Sequence, residues 1–121
     1  MLVTDAMPPV GGKRTSFMLN GRNITVRNGR CADEEGTLAG AALDMATAIR
    51  NCVEMLNIPL THALRLASAE PACFLGLANT FGHLAAGSRA DMVALDPVTV
   101  KVLQTWVAGR TCSPKDLSSK F

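Results

Sequence analysis

The 121-residue sequence has no apolar run of the roughly 18 or more residues that a membrane-spanning helix requires. Its first residues also include neither a basic segment nor a long apolar segment, which together mark a secretory signal peptide. These absences argue against a membrane protein and against a secreted one. We therefore expect a soluble chain of the cytoplasm.

Patterns typical of metal-binding and nucleic-acid-binding modules are also missing. The cysteines form no C-x-x-C pair, and no histidine lies near them at zinc-finger spacing. We interpret them as reduced and mostly buried. The net charge is only +2 and the twelve basic residues are scattered, which argues against a nucleic-acid partner. The four cysteines are Cys31, Cys52, Cys73 and Cys112.

What the sequence does contain is enough apolar material for a core. Hydrophobic residues make up 48% of the chain and charged residues 18%, which is not the composition of a disordered protein. A chain of roughly this length can bury about two-thirds of its extended surface. One globular domain is the expectation.

The first patterned segment is β-like. Residues 16–32 alternate apolar and polar side chains around two Asn-Gly pairs, Asn20-Gly21 and Asn28-Gly29. Asn-Gly between alternating segments is a strong hairpin signal, so this segment predicts a small antiparallel β element. Residues 33–37 are polar and turn-like, and Leu38-Ala39-Gly40 leads into the next segment.

The middle of the chain has helical periodicity. It predicts one amphipathic helix from Ala41 to Leu56, a second from Leu60 to Ala69, and a short third one that begins at Pro71. The first helix places its apolar residues on one face: Met45, Ile49, Cys52, Val53 and Leu56.

The strand pattern returns after a Gly-rich loop. Residues 91–96 and 100–107 predict two strands, and a turn at Ala108-Gly109-Arg110 predicts a short return strand through Cys112. Residues 113–121 form a polar tail that we expect to be mobile. The two β groups could pair into one small sheet.

Four motifs occur together in this order: LVTDA, RNGRCADEEGTLAG, ASAEPACFLGL and GHLAAGSRADMVALD. The last motif alone is shared by many amidohydrolases, but the ordered set is specific. From Leu2 to about Arg110 the chain closely resembles the C-terminal part of the N-acetylglucosamine-6-phosphate deacetylase family, within the amidohydrolase superfamily.

The resemblance implies an α/β fold in which a metal-dependent (β/α)8 barrel carries a small β-sandwich. Residues 2–77 would supply the last barrel strand (Leu2 to Asp5), a β-hairpin insertion and the closing helices. Residues 82–112 would supply C-terminal strands of the sandwich. Such a barrel takes about 250 residues, so on this interpretation the chain starts at the eighth strand.

The resemblance also implies site residues. Asp5 matches the catalytic aspartate, and Leu38, Ala39 and Gly40 match a segment whose backbone contacts the sugar. The residues alone leave simpler alternatives open: an Asp ahead of prolines is usually a turn residue, and Leu38-Ala39-Gly40 could be the plain start of a helix capped by Thr37.

The implied reaction is hydrolysis of N-acetylglucosamine 6-phosphate to glucosamine 6-phosphate and acetate, a step of amino-sugar catabolism. The resemblance implies a divalent metal, zinc or iron, and a homo-oligomer for the intact enzyme. The family's metal ligands, a glutamate and two histidines, belong to barrel strands that precede this segment. We therefore expect no metal on this chain alone, no metal role for His62 or His83, and no activity of the chain in isolation.

Three interpretations stay open. The chain is a portion of a deacetylase, or it is an independent, non-catalytic β-sandwich or interaction module that associates with itself. In the second case self-association would cover Leu2 to Thr4 and the helix face of Met45. In a third, a separate chain supplies the barrel.

Overall fold

The computed structural model describes residues 1–112, so the tail predicted for residues 113–121 lies outside the described part of the chain. The chain divides into two compact units. The β unit is Val3–Ala48, and the helical unit combines Met1–Leu2 with the chain from Ile49 onward. The hairpin segment and the helices each pack largely within their own unit.

The β unit contains a four-stranded antiparallel sheet whose strands follow one another in chain order. Two-residue turns at Asn20-Gly21 and Asn28-Gly29 join the first three strands, and both asparagines have positive φ. Such turns favour Asn-Gly because both residues adopt left-handed conformations. The predicted hairpins are confirmed. The strands are β1 (Ser16–Leu19), β2 (Arg22–Arg27), β3 (Arg30–Ala32) and β4 (Leu38–Ala41).

Strand β4 corrects one sequence-based alternative, the interpretation of Leu38-Ala39-Gly40 as the start of a helix. These residues pair with β3 instead, in a register that places Cys31 opposite Gly40. The helix predicted from Ala41 begins later, at Met45. Asp44 precedes it, and its carboxylate accepts hydrogen bonds from the backbone N–H of Thr47 at 2.9 Å and from its hydroxyl at 2.8 Å. This is the N-cap arrangement that fixes where a helix starts.

Three helices occupy the middle of the chain, as predicted. They are α1 (Met45–Leu56), α2 (Leu60–Ala67) and α3 (Ala69–Phe74), and α1 passes into the helical unit at Ile49. The third helix starts two residues before Pro71, the predicted first residue. Proline is tolerated there because N–H groups of the first turn have no partner within the helix.

The helical unit has a small core centred on Ile49, Cys52, Ala63 and Val100, which are all buried. The predicted apolar face of α1 is thus buried at Ile49 and Cys52, whereas its end at Leu56 is exposed. Partly buried apolar side chains surround this core: Leu2, Val53, Ile58, Leu60, Leu64, Ala67 and Leu95.

A second antiparallel sheet lies in the helical unit. It consists of β5 (Met92–Leu95), β6 (Val102–Val107) and β7 (Arg110–Cys112), as the alternating segments predicted. The two β groups do not merge within residues 1–112, so the prediction of one shared sheet was wrong. In each group, the short strands already pair with the strands next to them in sequence.

The four cysteines are free thiols. Cys31 and Cys52 are buried, Cys112 is half-buried and Cys73 is exposed, so fewer are buried than the sequence suggested. Along residues 1–112, no helix is both long enough and apolar enough to cross a bilayer.

Candidate active site

Asp5 lies in the β unit with its side chain exposed and its backbone in the left-handed region, at φ +50°. Aspartate is one of the few residues other than glycine that tolerate this conformation. Within residues 1–112, no group donates a hydrogen bond to the Asp5 carboxylate and no cation pairs with it. Within this part of the chain, the carboxylate is therefore free of competing side-chain partners.

The backbone of Asp5 is fixed against the end of strand β4. The N–H of Ala41 donates to the Asp5 carbonyl oxygen at 2.8 Å, and the N–H of Met7 donates to the Ala41 carbonyl oxygen at 2.8 Å. Between them, Ala6 and Ala41 form an isolated parallel bridge. The fold thus brings the predicted acid next to the strand that carries the other three predicted site residues.

The predicted substrate-binding residues, Leu38, Ala39 and Gly40, become progressively more buried along the strand. Leu38 is 58% exposed, Ala39 is half-buried and Gly40 is buried. Strand β4 stands at the edge of its sheet, so its outer side pairs with no further strand of residues 1–112 beyond the Ala6 bridge. Unpaired backbone N–H and C=O groups on an edge strand can bind a polar ligand.

Cys31 is a neighbour of this site that the sequence did not single out. Its side chain is fully buried on β3, opposite Gly40. Burial, and secondarily the negative charge of Asp5, raise the pKa of the Cys31 thiol. The thiol therefore stays neutral beside the acid. No sequence signal links residues 5 and 31, because the link is made by sheet pairing.

Asp33 organises the loop that delivers Leu38 to β4. Its carboxylate accepts hydrogen bonds from the backbone N–H of Thr37 at 2.8 Å, from the N–H of Glu35 at 3.1 Å and from Arg22 Nη1 at 2.7 Å. The Arg22 hydrogen bond, and then the Thr37 N–H, lower the pKa of Asp33. The available sequence signal was the Asp-x-x-Gly turn at Asp33 to Gly36.

Both histidines belong to the helical unit. His62 is exposed on α2, and His83 hydrogen-bonds the Phe81 carbonyl at 3.2 Å and the Ser88 hydroxyl at 3.0 Å within a loop of the helical unit. Along residues 1–112, no three His, Cys, Asp or Glu side chains are grouped so as to hold a metal ion.

A polar cleft of about 600 Å³ also lies on the β unit. Arg27, Arg30 and Glu34 are among its lining residues, so both signs of charge face it. Neither Asp5 nor any residue from Leu38 to Gly40 lines this cleft. It is therefore separate from the candidate site.

Comparison with known proteins shows which protein family this chain belongs to. The amidohydrolase family model matches residues 1–112, and the chain belongs to this family. The resemblance found in the motifs is thereby confirmed at the family level.

Three similar proteins are sugar-phosphate deacetylases by name. N-acetylgalactosamine-6-phosphate deacetylase of Shewanella sp. (strain ANA-3) is 39% identical over 109 residues, which is 90% of this chain and 27% of that protein. The crystal structure of N-acetylglucosamine-6-phosphate deacetylase from Pasteurella multocida superposes with a TM-score of 0.86 at 35% identity, covering 92% of this chain and 29% of that one.

A third similar structure contains a ligand. An aspartate-to-alanine mutant of N-acetyl-D-glucosamine-6-phosphate deacetylase from Mycobacterium smegmatis, in complex with N-acetyl-D-glucosamine 6-phosphate, is 33% identical with a TM-score of 0.73. The match covers 90% of this chain and 29% of the Mycobacterium smegmatis chain. This chain spans less than a third of the length of each of these three relatives.

Proposed function

We propose that this chain is the C-terminal portion of a deacetylase that hydrolyses N-acetylglucosamine 6-phosphate to glucosamine 6-phosphate and acetate. The observation that carries the proposal is the position of Asp5, a free carboxylate bound through its backbone to the strand that bears Leu38, Ala39 and Gly40. The relatives that match this chain over nine-tenths of its length are sugar-phosphate deacetylases by name, which supports the same reaction.

In this proposal Asp5 moves the proton. Its carboxylate takes a proton from the attacking water as the oxygen adds to the acetyl carbonyl carbon. The same acid then gives that proton to the sugar nitrogen as the C–N bond breaks, so acetate and the free amine leave. An exposed carboxylate without competing hydrogen bonds is suited to both steps.

The substrate segment would act through its backbone. Leu38 is exposed and Ala39 is half-buried on the edge strand β4, whose outer side meets the Asp5 chain segment at Ala41. We infer that these groups hold the amino sugar so that its acetamido group faces Asp5. Gly40 is buried, so it presents no comparable exposed surface.

The described residues do not form a metal site, although the amidohydrolase family is generally metal-dependent. We propose that the intact enzyme holds zinc or iron with residues that this chain does not contain. By the same resemblance we propose a cytoplasmic homo-oligomer. Within it, residues 2–77 would complete a (β/α)8 barrel and residues 82–112 a β-sandwich.

N-acetylgalactosamine 6-phosphate is a second candidate substrate. The supporting observation is the 39% identity to the Shewanella enzyme of that name. The two sugars differ in the configuration of one hydroxyl group, at C4, and share the acetamido and phosphate groups. Both would therefore present the same bond to Asp5.

The test compares this chain with a polypeptide extended upstream to a full barrel, each assayed with divalent metal on both sugar phosphates. We expect turnover by the extended protein only. Asp5→Asn should reduce its kcat by roughly 10²- to 10⁴-fold with little change in KM, the usual share of a general acid–base group. Glu34→Gln, an exposed carboxylate of the same unit, is the control.

Full activity of the Asp5→Asn extended protein would refute the role of Asp5. Turnover by the 121 residues alone would refute the proposal that the chain is an incomplete enzyme. Stable self-association of the chain, with no turnover by the extended protein on either sugar, would instead favour the non-catalytic interaction module.

A further inference from the structure

We propose that Gly40 is a positioning residue for Asp5: the missing side chain at position 40 is what allows the Asp5 segment to lie against β4. This inference rests on the proposed function only in that Asp5 is the acid. It assigns Gly40 a role within the protein, in addition to any contact that its segment makes with a sugar.

The space at Gly40 is filled by the Asp5 segment itself. A Cβ atom built on Gly40 would lie 2.9 Å from the Asp5 carbonyl oxygen, 2.6 Å from Met7 Cγ and 3.0 Å from Met7 Sδ. Contacts shorter than about 3.0 Å do not occur for real Cβ atoms, so one of the partners would have to move. Gly40 also has φ +144°, which side chains other than glycine's rarely permit.

The two contacts differ in how easily they give way. The Met7 side chain is flexible and can rotate away at small cost. The Asp5 carbonyl cannot, because the Ala41 N–H holds it at 2.8 Å and its residue sits in a left-handed conformation. A methyl group at position 40 would therefore displace the Asp5 backbone and the carboxylate attached to it.

The left-handed backbone of Asp5 depends on this support. Aspartate tolerates a positive φ better than most residues other than glycine, but the conformation still persists only where its surroundings hold it. Here the surroundings are one hydrogen bond on each side of Ala6, both made to Ala41. Both bonds require the close approach that Gly40 permits.

The experiment uses Gly40→Ala, with Gly21→Ala as the matched control. Gly21 also has a positive φ, +78°, but a Cβ there would meet nothing within 4 Å. The control thus introduces a side chain at a positive φ without the collision. Kinetics are measured on the extended enzyme, and amide hydrogen exchange is measured on the same protein.

We expect Gly40→Ala to lower kcat by roughly 10²-fold, the loss that a displacement of about 1 Å at a reacting group can cause, with KM changed less than about threefold. The N–H groups of Ala41 and Met7 should exchange faster, and Gly21→Ala should alter neither readout. Adding Met7→Ala to Gly40→Ala should not restore kcat, since the Asp5 carbonyl still collides.

Three results would overturn the proposal. A raised KM with unchanged kcat would mean that Gly40 serves only the ligand. Recovery in the double variant would place the collision at Met7 alone. Faster exchange throughout the sheet, including the Val26 N–H bonded to the Thr15 carbonyl, would mean a general folding role. Hydrogen exchange needs no turnover, so it decides the matter even if neither sugar is a substrate.

Discussion

The carbonyl oxygen of Asp5 accepts a 2.8 Å hydrogen bond from the backbone N–H of Ala41, 36 positions further along the chain. This bond joins a segment just ahead of two prolines to the end of an edge strand. It makes the position of the acid depend on the pairing of β4 rather than on its own local turn. Substitutions in β4 and in the loop before it should therefore alter the position of Asp5.

The loop before β4 offers a pH-dependent test at Asp33. Its pKa is lowered in the folded protein, mainly by the hydrogen bond from Arg22. Its contribution to stability is therefore complete above the unfolded-state pKa of about 3.9 and is lost as the pH falls through the lower folded-state value. We expect Asp33→Ala to lower the urea midpoint at pH 7, and this difference from wild type to shrink as the pH is taken from 5 toward 2.

The control for Asp33 is its neighbour. Glu34 is exposed and makes no hydrogen bond or ion pair with another residue of the described chain. Glu34→Ala should therefore leave the midpoint nearly unchanged at pH 7. A midpoint difference for Asp33→Ala that stays constant down to pH 2 would contradict the charge-dependent role, because a protonated carboxyl no longer attracts Arg22.

The parts of the fold that could be read from the sequence are those set by short-range chemistry. Asn20-Gly21 and Asn28-Gly29 mark their hairpins because few residue pairs adopt two successive left-handed conformations. The helices follow from apolar spacing. Strand β4 was not recognisable, because Leu38-Ala39-Gly40 has no alternation and becomes a strand only by pairing with Arg30–Ala32.

The features of the candidate site likewise divide into those recognisable from the sequence and those that depend on long-range pairing. Asp5 and Leu38-Ala39-Gly40 came from motif resemblance, which transfers residues but not contacts. The hydrogen bonds that join them, the burial of Cys31 opposite Gly40 and the carboxylate network of Asp33 are long-range or loop-specific features. Composition and periodicity carry no information on such contacts, since these depend on which segments meet.

Ile49 belongs to the core of the helical unit, so truncating its side chain should cause a large loss of stability. This side chain is only 5% exposed and packs with Cys52, Ala63 and Val100. Ile49→Ala should lower the free energy of unfolding by about 2 to 5 kcal/mol, because it removes buried methyl groups and leaves a cavity. Met55→Ala is the control on the same helix, since Met55 is 73% exposed, and should change it by less than about 0.5 kcal/mol. Urea unfolding of the 121-residue chain measures both, and equal effects would contradict this core.

The last hairpin carries a residue that its turn does not favour. Ala108 and Gly109 form a two-residue turn between Val107 and Arg110, and both have positive φ, +49° and +76°. The other two hairpins place asparagine at the first of these positions, at Asn20 and Asn28. Alanine in this conformation carries roughly 1 kcal/mol of backbone strain, whereas asparagine tolerates the conformation.

We therefore expect Ala108→Asn to stabilise the chain by roughly 0.5 to 1 kcal/mol, seen as a rise in the thermal midpoint of a few degrees. The substitution keeps the backbone N–H of residue 108, which donates to Asp91 Oδ1 at 2.7 Å. Asn28→Ala is the reverse change in an equivalent turn and should destabilise by a similar amount. A loss of stability in Ala108→Asn would show that the left-handed backbone at this turn is not the source of strain.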